Sequence, residues 1–137
     1  MKRTLNLGVV VALLLSGCAG ESSGESTPAV ITSDNGMKLL VSSYSGEGME
    51  ARFEGKLEAG EGNCLYLIGG TVPSLLFWPE GTKFSSDETA VERPGSSPLS
   101  IGTEITVSGG VVDLESDADR YPEIPSDCSA EYLVRVN

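Results

Sequence analysis

Residues 51–68, ARFEGKLEAGEGNCLYLI, constrain the fold more than any other stretch. Phe53, Gly55 and Leu57 alternate with Arg52, Glu54, Lys56 and Glu58, the period of two that turns one face of a strand inward and leaves the other in water. The glycine-bearing AGEGN at residues 59–63 leads straight into the apolar CLYLI, so the whole stretch predicts a β-hairpin. The same pattern of short strands divided by glycine and proline recurs along the chain. MKLLVSS at 37–43 is a short mixed strand, and LLFW at 75–78 is a continuous apolar run stopped by Pro79, with a turn at Glu80 and Gly81. TEITVS at 103–108 alternates with Ile105 and Val107 inward, and Gly109 and Gly110 are expected to break or bulge the chain before Val111 and Val112. EYLVRV at 131–136 sets Tyr132, Val134 and Val136 against Leu133 and Arg135 on opposite faces.

No segment holds a helical period with caps. One short helix or turn is expected around residues 85–90, where serines precede acids. Short strands with glycine-rich turns predict an all-β fold. A small OB-like barrel of five or six strands is preferred, because closure removes the exposed edges that a short chain has no spare elements to cover. A two-sheet β-sandwich is the alternative.

The chain opens with Lys2 and Arg3, followed by a mostly apolar run over residues 5–15. That run is shorter than the roughly 20 residues a spanning helix needs and has the form of an export signal. Leu15, Ser16, Gly17 and Cys18 follow at its end, and here the sequence resembles the lipobox of bacterial lipoproteins. The resemblance implies that residues 1–17 are a signal peptide, that the Cys18 thiol is acylated and becomes the first residue of the mature chain, and that the protein sits on the exported face of the cell membrane or outer membrane. Two or more acyl chains suffice for stable attachment. Ala19 in place of a retention aspartate favours the outer membrane in a cell with two membranes.

Residues 18–36, rich in Ser, Gly, Glu and Thr, are then expected to be a flexible tether, with a single β-domain over 37–137. Of the three cysteines, the lipobox resemblance takes Cys18. Cys64 and Cys128 remain, in a compartment where disulfides persist. Their pairing is expected to stabilise the domain by roughly 4 kcal/mol in the chain-entropy picture. The ordered stretches NCLYL, FWPEG, IGTEITVSGG and PSDC, between Asn63 and Cys128, are also similar to a loosely defined group of exported bacterial domains. That similarity implies a fold and a disulfide, and no activity.

Charge narrows the partners. The net charge is −11, and loss of Lys2 and Arg3 with the signal leaves −13. Such acidity opposes nucleic acid and peripheral binding to anionic lipid. The absence of histidine removes Ser-His-Asp and Cys-His catalysis and imidazole-ligated zinc. Ser33, Asp34 and Asn35 spell a motif of penicillin-recognising enzymes without its partners, and are read as chance. Paired carboxylates leave a small carboxylate-dependent envelope hydrolase as the one enzymatic alternative.

Asp113, Glu115, Asp117 and Asp119 recur at every second position, like the start of an EF-hand loop. Ala118 stands where that loop needs glycine and Ile124 where it needs glutamate, so only an irregular calcium site survives beside the simpler reading of a solvated acidic loop. No cofactor is implied. Tyr66, Phe77, Trp78 and Phe84 are candidates for a binding face, against the alternative that they are core. The functional expectation is a lipid-anchored, non-catalytic binding or interaction module of the bacterial cell envelope, with an envelope protein or glycan as partner.

Overall fold

The computed structural model describes residues 27–129 and 131–137. The signal segment 1–17 and Cys18 lie outside the described residues. Ten strands follow in order: β1 (Ala29–Thr32), β2 (Lys38–Val41), β3 (Ala51–Ala59), β4 (Leu65–Ile68), β5 (Ser74–Trp78), β6 (Lys83–Phe84), β7 (Ala90–Glu92), β8 (Leu99–Ser100), β9 (Glu104–Val111) and β10 (Tyr132–Val136). The expected hairpin is β3 and β4, paired antiparallel from Lys56 with Ile68 to Ala59 with Leu65. A short 3-10 turn at Glu61–Asn63 forms its loop.

The main sheet runs β1-β2-β5-β10-β9-β3-β4, and β4 pairs again with β5. β3, β4, β5, β10 and β9 therefore close into a five-stranded barrel. Counted in chain order, its strands neighbour one another as 1-2-3-5-4, with the third and fifth, β5 and β10, parallel. This is the expected small OB-like barrel. Tyr66 opposite Leu75 and Leu67 opposite Ser74 make the closing seam.

Alternation fills the interior. Leu57 from β3, Leu65 and Leu67 from β4, Leu76 and Trp78 from β5, Ile105 and Val107 from β9, and Val134 and Val136 from β10 share one buried cluster. The small sheet β6-β7-β8 packs onto it through Val91, with Phe84, Leu99 and Ile101 half-buried beside it. That sheet belongs to the chain between β5 and β9, and covers the end of the barrel where β5 finishes.

The run LLFW is apolar throughout because β5 is covered on both faces. Leu76 and Trp78 point inward, whereas Leu75 and Phe77 join Leu40, Cys64, Tyr66, Val112, Tyr121 and Cys128 in a second buried cluster on the outside. The segment 112–131 crosses this outer face between β9 and β10. Tyr121 packs against Phe77 with ring centroids 4.7 Å apart, and the Cys64–Cys128 disulfide pins the crossing segment to the start of β4.

Two local expectations are corrected. The sheet takes in residues before Met37: β1 pairs antiparallel with β2 from Ala29 with Val41 to Thr32 with Lys38, although β1 itself stays exposed. The intervening turn is held by the Glu88 carboxylate, which accepts from the Asp34 backbone N–H at 2.8 Å. Gly109 and Gly110 do not break the chain but continue β9, because a Cβ at Gly109 would run into the Arg135 carbonyl and one at Gly110 into Met49. Of the short helix or turn expected at residues 85–90, the turn is what forms, with the Ala90 N–H donating to the Ser85 hydroxyl at 3.0 Å.

Candidate functional site

The four aromatic candidates do not share a surface. Trp78 is fully buried inside the barrel and Phe77 is fully buried in the outer cluster. Phe84 is half-buried against the interior. Successive residues of a strand point to opposite faces, so Phe77 and Trp78 are separated by the sheet. The expected aromatic face is thus core. Tyr66 lines a pocket through an otherwise buried ring.

The acidic positions do not converge either. Asp113 caps a short helix, α1 (Leu114–Asp117), its side chain accepting from the Glu115 N–H at 3.0 Å. A 3-10 turn at Ala118–Arg120 follows. Residues two apart on a helix face different ways, which scatters Glu115, Asp117 and Asp119 over solvent. Among the described residues no group of three or more acids, cysteines or histidines is placed to hold a metal ion, so the irregular calcium site at Asp113, Glu115, Asp117 and Asp119 is not formed.

A pocket of about 170 Å³ lies beside the outer face of β4. The crossing segment covers part of that face and stops short of the rest. Tyr66 and Ile68 project outward from β4 as the floor, Val72 and Pro73 of the β4–β5 loop form one wall, and Ser129 ends the wall opposite. Glu61 and Glu131 stand exposed at the rim. Local geometry explains how loops so far apart meet here. Gly60 lies against the Tyr66 ring so closely that a Cβ would sit 2.6 Å from it. Gly62, at φ +65, approaches the Asp127 carbonyl at a similar distance. The left-handed backbone at Gly62 disfavours a side chain.

The polar order of the site centres on Tyr66. Its hydroxyl donates to the Ser129 carbonyl at 3.0 Å, with the Glu61 carbonyl more distant at 3.5 Å. Burial pushes the Tyr66 hydroxyl above the ordinary tyrosine range, and the negative charges of Glu61 and Asp127 add to the rise. The pocket is therefore a place of negative potential over an apolar floor.

A second polar feature holds the fold. Arg135 is buried, its guanidinium 3.9 Å from the Tyr44 ring centroid, and it donates to the Glu47 carbonyl at 3.2 Å. Arg120 stacks on the same ring at 4.7 Å. This cation–π arrangement fastens residues 43–50 and the crossing segment to β10. Of the pocket residues, sequence reasoning singled out only Tyr66. Glu61, Val72, Pro73, Ser129 and Glu131 belong to three loops whose convergence depends on barrel closure and the disulfide, and no local pattern marks them. No family model, curated protein or solved structure matches the chain.

Proposed function

We propose that the chain is a lipid-anchored, non-catalytic binding module of the bacterial cell envelope, held at the membrane through Cys18 and offering the outer side of β4 to an envelope protein or glycan. The pocket beside Tyr66 carries this reading: it is a small apolar concavity with a few polar groups at its rim, the form of a recognition site. The basic start, apolar run and lipobox support the anchor. A net charge of −11 favours a partner with basic or neutral contacts over a polyanion.

Crosslinking the tagged full-length protein in intact cells, with mass spectrometry of the captured species, tests the module, and Cys18→Ser tests the anchor. One reproducible partner, together with release of the Cys18→Ser variant from the membrane fraction, is the expected result. No captured partner at native expression would overturn the module, and a Cys18→Ser variant that stays with the membrane would overturn the anchor.

A further inference from the structure

The pocket beside β4 selects among occupants by size, polarity and charge. At about 170 Å³ it falls below the roughly 300–1,000 Å³ of small-molecule sites and suits one side chain or short aliphatic chain. Ile68, Val72, Pro73 and the Tyr66 ring offer such a chain an apolar bed. Apart from the exposed Ser129 hydroxyl, the polar side chains offer acceptors. The Tyr66 hydrogen is already given to Ser129, which leaves acceptors, and the two side chains at the rim are the carboxylates Glu61 and Glu131. Among the described residues neither carboxylate is in an ion pair, whereas Lys38, Arg52, Lys56 and Lys83 all pair with other acids. No lysine or arginine lines the pocket.

An occupant that complements these features has an aliphatic stem for the floor and a terminal cation for the rim. That is the division long basic side chains make between apolar surface and water. We infer that this pocket receives a primary alkylammonium group, presented as a lysine side chain by a protein partner. The inference rests on the binding-module reading and specifies where that module binds. Each rim carboxylate is solvent-exposed and contributes modestly, so recognition by one side chain is weak and gains its strength from the rest of the partner's surface.

The test uses the full-length, isotope-labelled protein in detergent micelles, titrated with n-pentylamine and separately with n-pentanol at fixed pH and ionic strength. The amide signals of Gly60, Ile68, Val72 and Ser129 report on the pocket. Saturable shifts at these positions are expected with the amine, at an affinity about tenfold above the alcohol, as two weak ion pairs would give. In a Glu61→Gln/Glu131→Gln variant the two probes are expected to bind within about twofold of each other, and Val72→Trp is expected to abolish both by filling the space. Equal affinity for both probes in the unmodified protein, shifts that do not saturate, or an amine preference that survives the double substitution would each overturn the inference. A partner captured in cells without amine binding here would overturn this pocket alone. Amine binding without any captured partner would instead count against the module.

Discussion

The Tyr66 hydroxyl donates a hydrogen bond to the Ser129 carbonyl at 3.0 Å, joining residues 63 apart in sequence. Ser129 follows the disulfide-bonded Cys128, so the two links hold the crossing segment at the margin of the pocket. Tyr66→Phe keeps the ring against Gly60 and removes only the donor. It is expected to cost about 1 kcal/mol, the net value of one such bond, rising towards about 2 kcal/mol because the carbonyl loses its partner. Urea unfolding checks this through a lower midpoint at unchanged slope.

The Cys64–Cys128 disulfide closes a loop of sequence separation 64. Replacing both cysteines by alanine is expected to cost roughly 4 kcal/mol, a large share of the about 5–15 kcal/mol that holds a domain together. The check is denaturation of both proteins with and without reductant: the unmodified protein should fall towards the variant when reduced, and the variant should not respond.

Trp78 is the only tryptophan and is fully buried inside the barrel, which makes its fluorescence a direct report of closure. Native emission should be blue-shifted and poorly quenched by acrylamide, and should move red on unfolding. Trp78→Ala is expected to cost about 3–5 kcal/mol through the cavity it leaves. Trp78→Phe should cost less, because the indole N–H makes no hydrogen bond and the change removes volume alone.

Two exposed carboxylates give the fold an acid-sensitive limb. The Asp34 N–H holds the Glu88 carboxyl below the ordinary range, and the Lys38 ammonium does the same for Asp127. A folded-state value below the unfolded one stabilises at higher pH, and that contribution disappears as pH falls through the folded value. Stability should therefore decline on the acid side of about pH 4. Glu88→Gln should flatten part of that decline by lowering the neutral baseline towards the acid-side value, because the contribution it removes is present only above that window.

Strand periodicity made the barrel legible where strands are long enough to show it. β3 and β9 declare their inward faces through Phe53, Leu57, Ile105 and Val107, and the glycines between β3 and β4 declare the hairpin. β1 was hidden because its four residues sit in a polar stretch and are exposed even when paired. β6 and β8 have two residues each, too few for any period. The glycine pair at 109 and 110 misled because the need is close approach of neighbouring chain, not a turn, and the approaching groups come from β10 and Met49. The four-residue run of β5 was visible as apolar, but its division between two clusters depends on a crossing segment more than thirty residues later in the chain. The pocket was the least legible part for the same reason.

We propose that the outer side of β4 meets a partner in the envelope. A photo-activated residue with a compact aliphatic diazirine side chain, small enough to leave open the space that Val72→Trp would fill, placed at Val72 on the pocket wall and in a parallel strain at the exposed Thr106 on β9, tests it in intact cells. One reproducible protein adduct is expected from position 72, absent from position 106 and lost when Glu61 and Glu131 are both changed to glutamine. Equal adducts from the two positions, or none from position 72 at native expression, would contradict it.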